Sequence, residues 1–215
     1  MVILGLTGSI GMGKSTAGRM LQGLGVTLYD ADAAVHRLFA KGGAAVAPVG
    51  EAFTGVIENG AVNRSLLGAA VFGDAPALTR LEAIVHPLVR EAQLSFLRAA
   101  ARRNVAMVVL DIPLLFETGG DRNCDATTLV SAPRYLQETR VLARPGMTRS
   151  RFEDILNRQM PDAEKRRRAD FVVLTGLDKG RTLRQLLAVV ETMSRRQGRN
   201  WPRRVLAHPS TSSGS

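Results

Sequence analysis

The chain has one cysteine, Cys124, among its 215 residues. A single thiol can form neither an intrachain disulfide nor a cysteine-rich metal site, and no zinc-ligand set is present. Aromatic residues make up only 5% and include one tryptophan, which argues against a base-stacking nucleic-acid protein. The guanine-reading motif Asn-Lys-x-Asp of GTPase switches is also absent. The composition therefore disfavours disulfide-stapled, zinc-dependent, nucleic-acid-binding and GTPase classes.

Long apolar runs are absent as well. The N-terminal run, 2–7, is too short for a signal peptide and has no basic region before it. The longest later run, 105–116, is interrupted by Asp111 and falls short of a membrane span. We therefore expect a cytoplasmic protein with no membrane partner.

Acidic residues are scarce relative to basic ones. Nineteen Asp and Glu face 29 Lys and Arg, which gives a net charge of +10 and suits a polyanionic partner such as a multiply phosphorylated molecule. The excess lies in two segments, 140–168 and 181–204. A solvated helix face explains the second segment well. An enzyme that binds a nucleoside triphosphate needs cations on the far side of the phosphates, which is the interpretation we give to the first.

One motif is present in full. Residues 8–15 read Gly-Ser-Ile-Gly-Met-Gly-Lys-Ser, which fits G-x-x-x-x-G-K-[ST] between an apolar strand, 2–7, and a helical segment, 16–24. In such a loop, backbone N–H groups and the helix N-terminus cradle phosphate, Lys14 reaches the β- and γ-phosphates and Ser15 ligates Mg²⁺. A glycine-rich turn that merely starts a helix is the alternative. We predict nucleotide contacts from Gly8, Ser9, Ile10, Gly11, Met12, Gly13, Lys14, Ser15 and Thr16.

Carboxylates follow two further strands. A strand over 26–29 ends at Asp30 and Asp32, and the apolar strand 105–110 ends at Asp111. Strands that alternate with helices predict a parallel α/β sheet, whose ligands gather at the carboxyl ends of the strands. Asp32 is either a helix cap or the base that accepts the proton of an attacking hydroxyl. Asp111 is either a turn residue or a carboxylate that holds Mg²⁺ through water.

The remaining segments predict mainly helices. Residues 33–103 show no strong strand pattern and are too long for a simple crossover, so they predict a substrate-holding insertion, with a helix break at Pro87. Further strands are predicted at 126–130 and 171–174, with helices over 133–142 and from Thr148 to about Met160. Arg140 and Arg144 are four apart before a Pro-Gly pair, so they either converge on one phosphate or lie on an exposed helix. The last helix carries an apolar stripe at Leu183, Leu186, Leu187, Val190 and Met193.

Several segments together resemble the dephospho-coenzyme A kinase family, from Met1 to about Met193. The most distinctive is Asp-Ile-Pro-Leu-Leu-Phe-Glu at 111–117. The others are the loop segment 3–16, Tyr-Asp-Ala-Asp at 29–32, His-Pro-Leu-Val at 86–89 and the run from Arg158-Gln159-Met160 through Lys165-Arg166 to Ala169-Asp170-Phe171-Val172. The chain differs from many members in two places, with Thr175 where Asn is common before Gly176 and Ile155 where an arginine is common.

The resemblance implies the fold and its division. It implies a P-loop kinase core with a parallel five-stranded sheet flanked by helices, formed by about 1–33, 104–144 and 168–197. It places a coenzyme A-binding helical insertion at 34–103 and a small helical lid at 145–167. The whole kinase domain would span 1–200, and a basic and then Ser-rich flexible tail would follow at 201–215.

The resemblance also implies the reaction: ATP and Mg²⁺ would phosphorylate the ribose 3′-hydroxyl of dephospho-coenzyme A. Asp32 would act as the base, and Lys14, Arg140 and Arg144 would stabilise the transferring phosphoryl group. Thr175 and Gly176 would contact the adenine of ATP, and the acceptor would meet Asp32, His86, Pro87, Leu114 and Phe116. Another P-loop kinase, acting on a small metabolite or a nucleoside monophosphate, is the alternative. We expect a monomer or weak homo-oligomer.

Overall fold

The computed structural model describes residues 1–176 and 178–202. Its elements follow one another along the chain as strands and helices, and four of the nine α-helices of the described residues lie between the second and fifth strands. They are β1 (Val2–Thr7), α1 (Lys14–Gly23), β2 (Thr27–Asp30), α2 (Ala31–Phe39), α3 (Val46–Ala52), β3 (Ile57–Glu58), β4 (Ala61–Val62), α4 (Arg64–Val71), α5 (Ala75–Arg102), β5 (Met107–Asp111), a 3₁₀ turn (Gly120–Asn123), β6 (Ala126–Ser131), α6 (Arg134–Leu142), α7 (Arg149–Asn157), α8 (Asp162–Arg168), β7 (Phe171–Leu174) and α9 (Lys179–Ser194).

The central sheet has five strands in the order β2-β5-β1-β6-β7, and each neighbouring pair is parallel. Strand β1 lies in the middle and is buried along its whole length, as expected for a strand covered by helices on both faces. Its alternate residues enter different cores: Leu4 and Leu6 pack on the side of α1 and α9, and Ile3 packs on the side of α5. The predicted five-stranded parallel sheet is confirmed.

The insertion between β2 and β5 has its own core, in which Phe39, Val49 and Leu67 are buried. It is mostly helical, but it also contains the antiparallel pair β3–β4, which the sequence analysis did not predict. The two strands are joined by Asn59 and Gly60, whose φ angles are +52° and +77°. Asn-Gly with two positive φ angles is the usual turn of a two-residue hairpin, so the pattern was present in the sequence.

The predicted helix break at Pro87 is wrong. Helix α5 runs through Pro87 without interruption for 28 residues. Proline removes one backbone hydrogen bond and crowds the preceding turn, but the rest of a long helix keeps its bonds and its packing. Leu81, Ile84, Val85 and Leu88 flank this position and pack against the core of the insertion. That packing holds the helix together where local preference would break it.

Two further helix predictions need correction. Helix α6 ends at Leu142, so Arg144 lies beyond the helix and does not share a helical face with Arg140. Helix α7 ends at Asn157, before Met160, although Thr148 caps its start as predicted. On α9 the buried face contains Thr182, Leu186, Val189 and Met193, while Leu183 and Leu187 are 38% and 40% exposed.

The last described residues return to the start of the chain. The backbone N–H groups of Arg199 and Asn200 donate to Asp125 Oδ1 at 2.7 and 3.0 Å, and Trp201 packs against the core beside α5. The rest of the predicted tail, 203–215, lies outside the described residues. Across the part of the chain that is described, no helix is both long and apolar enough to cross a bilayer.

Candidate active site

The loop between β1 and α1 has the geometry of an anion cradle. Gly11 and Gly13 have φ angles of +77° and +90°, a conformation that residues with a Cβ rarely adopt. Helix α1 begins at Lys14 with no side-chain cap and no acidic residue in its first turn. Its first N–H groups and the positive end of its dipole are therefore available to a negatively charged ligand.

Side chains from distant elements hold the outward-facing carbonyls of this loop. Gln137 Nε2 on α6 donates to the Ile10 carbonyl at 2.8 Å, and Thr175 Oγ1 donates to the Met12 carbonyl at 2.5 Å. Arg140 Nη1 lies 3.4 Å from the Gly11 carbonyl, and its Nη2 donates to the Thr175 carbonyl at 2.8 Å. With these carbonyls fixed on the outside, the loop can turn N–H groups inward other than those of Ile10 and Met12, which donate to Gln159 and to the Ser9 carbonyl.

A cleft of about 400 Å³ opens beside the loop, at the carboxyl ends of β2 and β5. Lys14 and Ser15 line it from α1, Asp32 from α2 and Asp111 from the end of β5. These side chains come from parts of the chain up to 97 residues apart. The sheet brings them together because the carboxyl ends of parallel strands share one edge.

Asp111 is buried and paired. It is 4% exposed, and its Oδ1 accepts a hydrogen bond from Lys14 Nζ at 2.6 Å. Burial raises the pKa of this carboxyl, and the charge of Lys14 and its hydrogen bond offset part of the rise. The nearby charges of Asp30 and Asp32 raise the pKa further. Lys14 is therefore held by a carboxylate whose own ionisation costs free energy.

Asp32 is exposed and uncommitted. The side chain that caps α2 is Asp30, whose Oδ1 accepts from the Ala33 N–H at 2.9 Å. Asp32 is the second residue of the helix, and among the described residues its carboxylate takes part in no hydrogen bond or ion pair. The cap of α2 is therefore Asp30 and not Asp32. The Asp32 carboxylate lines the cleft and is available to a ligand.

The donor atoms at this edge suit Mg²⁺. The Ser15 hydroxyl and the carboxylates of Asp32 and Asp111 are oxygen donors, which this ion prefers. No group of three or more His, Cys, Asp or Glu residues suited to a metal occurs in ranges 1–176 and 178–202. Mg²⁺ in kinases is typically held by one or two protein oxygens together with substrate phosphates and water, and the residues present fit that arrangement.

Other predicted site residues lie outside this cleft. Arg140, Thr175 and Gly176 are on the opposite side of the loop, toward β7. Arg144 is exposed, and within the described part of the chain its side chain makes no hydrogen bond or ion pair. His86 and Pro87 are exposed in the middle of α5, Leu114 is 40% exposed, and Phe116 is buried under the guanidinium of Arg168 at 5.2 Å. Their predicted contacts with ligand stay predictions.

Arg19, Tyr29 and Arg37 are among the residues that line the cleft without having been predicted as site residues. Arg37 lies seven residues, or about two helical turns, after Asp30, so the period of α2 could have placed it on the same face. The ring of Tyr29 packs against Phe96, and its buried hydroxyl has no hydrogen-bond partner among the described residues. Burial raises the pKa of this hydroxyl, and the charge of Arg37 opposes the rise.

A second cleft, of about 330 Å³, lies on the other side of the loop. It is bounded by the loop, by the start of α6 and by the turn between α7 and α8. The residues that line it include Ser9, Met12, Ala132, Gln137, Gln159, Met160 and Asp162. The phosphate-binding loop therefore separates two clefts.

Comparison with known proteins adds an independent finding. A family model described as "Dephospho-CoA kinase" matches residues 2–178. A dephospho-CoA kinase of Paramagnetospirillum magneticum is 64% identical over 166 residues, which are 77% of this chain and 78% of the relative. A dephospho-CoA kinase of Rhodospirillum rubrum is 53% identical over 204 residues, which are 94% of this chain and 96% of the relative.

Solved structures agree in fold. A Thermus thermophilus protein named TT1252 has a TM-score of 0.79 and 34% identity, over 89% of this chain and 96% of its own. A dephospho-CoA kinase from Campylobacter jejuni has a TM-score of 0.67 over 89% of this chain and 96% of its own, and at 24% identity this likeness concerns the fold alone.

Proposed function

The chain belongs to the dephospho-CoA kinase family, and we propose that it transfers the γ-phosphoryl group of ATP to the ribose 3′-hydroxyl of dephospho-CoA. The products are coenzyme A and ADP, and the reaction is the last step of coenzyme A synthesis. One observation carries the proposal on the structural side: the phosphate loop, Asp32 and Asp111 line one cleft. This arrangement would put a hydroxyl acceptor beside the end of a triphosphate.

ATP would lie with its phosphates in the loop 8–15. The inward N–H groups and the N-terminus of α1 would bind phosphate oxygens, and the adenine would lie toward Thr175 and Gly176. Lys14 reaches into the cleft from α1, and in the structure its ammonium group is paired with Asp111. With nucleotide bound, the same ammonium would turn to the β- and γ-phosphate oxygens, where charge builds up during transfer.

Ser15 and Asp111 would hold Mg²⁺, Asp111 through water. When bound, Mg²⁺ would neutralise charge on the β- and γ-phosphate oxygens. Asp111 would hold the ion in place of its present contact with Lys14, and the ammonium group of Lys14 would then be available to the phosphates. The two roles of the lysine, partner of Asp111 and ligand of phosphate, would thus alternate with nucleotide binding.

Asp32 would act as the base. Its uncommitted carboxylate can accept a hydrogen bond from the 3′-hydroxyl, orient that oxygen toward the γ-phosphorus and take its proton as the new P–O bond forms and the bond to ADP breaks. Arg144 would approach the transferring phosphoryl group from the lid side, and Arg140 would support the nucleotide side of the loop. The acceptor would also contact His86, Pro87, Leu114 and Phe116 from the insertion and the β5 turn.

An activity assay tests the proposal and its alternative, another P-loop kinase for a small metabolite or nucleoside monophosphate. ADP release would be measured with dephospho-CoA, shikimate, gluconate and nucleoside monophosphates as acceptors. We expect kcat/KM for dephospho-CoA to exceed every other by at least about 10³, because kinases discriminate between acceptors by transition-state contacts. A higher value for another acceptor would contradict the proposed substrate.

We further expect a cytoplasmic monomer or weak homo-oligomer that needs neither nucleic acid nor membrane. The expectations on compartment, nucleic acid and membrane rest on the composition: one cysteine, few aromatic residues and no long apolar run. Size-exclusion chromatography coupled to light scattering would test the oligomeric state.

A further inference from the structure

The segment from Arg158 to Arg168 contains residues that the proposed reaction does not use, although the sequence resemblance depends on several of them. At its centre is Lys165 on α8, whose side chain is 0% exposed. Its Nζ forms an ion pair at 2.8 Å with Oε1 of Glu117, without the alignment of a hydrogen bond. The same oxygen accepts a hydrogen bond from the Met160 N–H at 3.0 Å. One carboxylate therefore holds both α8 and the turn that precedes it.

Two more contacts fasten α8 to the core. Ser131 Oγ at the end of β6 donates to Asp162 Oδ2 at 2.8 Å. The guanidinium of Arg168 lies over the ring of Phe116 at 5.2 Å and 3.5 Å from Asp121. In contrast, the outermost turns of the expected lid, around Arg149 and Arg151, are exposed. The C-terminal part of the expected lid, from Gln159 to Arg168, is thus attached to the core at several points.

The residue next to this attachment contacts the phosphate loop. Gln159 Oε1 accepts a hydrogen bond from the Ile10 N–H at 3.2 Å, across 149 positions of sequence. The carbonyl of Ile10 in turn accepts a hydrogen bond from Gln137 Nε2 at 2.8 Å. Ile10 is therefore held from both sides, by α6 through its carbonyl and by the turn before α8 through its N–H.

We propose that Gln159 is a positioning residue for ATP binding and that the Glu117–Lys165 pair keeps it in place. Fixed by its two neighbours, Ile10 gives the loop that cradles phosphate a single conformation before nucleotide arrives. A preorganised loop binds its ligand more tightly because less freedom is lost on binding. The inference deepens the proposed function and rests on it.

Isothermal titration with a non-hydrolysable ATP analogue tests the role of Gln159. Gln159→Met keeps the length of the side chain and removes the acceptor, and we expect the analogue to bind about five- to tenfold more weakly, the worth of about one hydrogen bond. The control is Asn63→Ala, which removes another side-chain amide oxygen that accepts backbone N–H groups, at the start of α4. It should lower Tm and leave analogue affinity within about twofold.

The titrations distinguish failure of the role of Gln159 from failure of the proposed function. If the wild type binds the analogue and Gln159→Met binds it within about twofold of the wild type, the role of Gln159 is overturned and the proposed function stands. If the wild type does not bind the analogue, both are overturned. A loss of similar size in Asn63→Ala would overturn the positioning role, because affinity would then follow general stability.

The anchoring step has its own test. Lys165→Met should weaken analogue binding by a factor close to that of Gln159→Met. The analogue affinity of the double variant Gln159→Met/Lys165→Met should lie within about twofold of that of the weaker-binding single variant. Glu117→Met/Lys165→Met takes the place of Lys165→Met if the latter does not fold, because it leaves no lone buried charge. If the losses of affinity in the two single variants multiply in Gln159→Met/Lys165→Met, the Glu117–Lys165 pair does not act through Gln159.

Discussion

The two sides of the phosphate-binding loop are built differently. Toward α6, β7 and α8, the loop is fixed by Gln137, Arg140, Gln159 and Thr175, each with a hydrogen bond to its backbone. Toward β2 and β5, the chemistry-bearing side chains have few partners: Asp32 has none among the described residues, and Lys14 has only Asp111. Fixed groups shape the site and uncommitted groups are available to react. The side chains that fix the loop thus lie on one side of it, and Asp32 and Lys14, to which the proposed reaction gives chemical roles, lie on the other.

The largest effect expected from this comparison concerns Arg144, which is exposed and has no side-chain partner in the described residues. An arginine that reaches the transferring phosphoryl group contributes about 10³–10⁵ in rate. Arg144→Ala should therefore lower kcat by about 10³ or more, with little change in Tm. Arg140→Ala should lower kcat or weaken ATP binding and also lower Tm, because it removes contacts with Gly11 and Thr175. Steady-state kinetics and thermal unfolding of both variants would be compared. A change in kcat below about tenfold in both would contradict the assignment of either arginine to the phosphoryl group.

A smaller but more specific effect is expected at Asp32. Asparagine keeps the shape of the side chain and one acceptor oxygen but cannot take a proton. Asp32→Asn should lower kcat by at least about 10² and keep ATP affinity within a few-fold. Turnover on dephospho-CoA and titration with a non-hydrolysable ATP analogue would separate the two quantities. Near-normal turnover would rule out the base, and loss of ATP binding would instead place Asp32 in the metal site.

Asp111, the buried carboxylate of the first cleft, should affect the pH dependence of the free energy of unfolding. Burial raises its pKa in the folded state, so between its ordinary value and the raised value the folded state binds more protons than the unfolded state. The contribution of Asp111 to the free energy of unfolding should therefore decrease as the pH rises through that window. Each unit of rise corresponds to about 1.4 kcal/mol, or about 3–6 °C in Tm for a chain of this size.

Asp111→Asn removes this ionisation. The difference in Tm between Asp111→Asn and the wild type should become more positive as pH increases from about 4 toward neutrality, measured without nucleotide. The control is Asp74→Asn, an exposed helix cap in the insertion. It should show no such trend. A difference that is constant with pH would mean that Asp111 ionises at no cost in the folded state.

The smallest effect on activity is expected at the C-terminus, far from both sides of the loop. Truncation after Arg195 removes four hydrogen bonds to Asp125 and Cys124 and the packing of Trp201, so Tm should fall by about 5–10 °C. kcat at 25 °C should stay within about twofold, because no site residue is removed. Truncation after Pro202 serves as the matched control and should leave both quantities unchanged. A large loss of kcat in the first variant alone would connect this segment to the site.

Local patterns predicted the framework well. The loop 8–15, the buried strands and the helix start at Thr148 are each encoded within a few neighbouring residues, and all are confirmed. The hairpin at Asn59-Gly60 was equally local and was overlooked. Pro87 shows the opposite case, because a local rule gave way to packing along a long helix.

The anchors of the loop could not be predicted in this way. Gln159 contacts Ile10 across 149 positions, and the pairing of Lys165 with Glu117 spans two separate elements. Nothing near Lys165 distinguishes it from Arg166, Arg167 and Arg168, which are exposed on the same short helix. Only the packing of α8 shows which cation is buried. Residue patterns thus predicted candidate reactive groups, and the folded chain was needed to show which side chains hold the loop beside them.

Asp125 has a practical consequence for handling the protein. Its Oδ2 accepts from the Ile3 N–H at 2.7 Å, and its Oδ1 accepts from Arg199 and Asn200, so one carboxylate ties the first strand to the last described residues. Both ends of the described chain therefore leave from the amino-terminal edge of the sheet, opposite the clefts. An affinity tag, a fluorophore or a surface linker attached at Met1 would point away from the substrates. An immobilised enzyme prepared in this way should turn over like the free one.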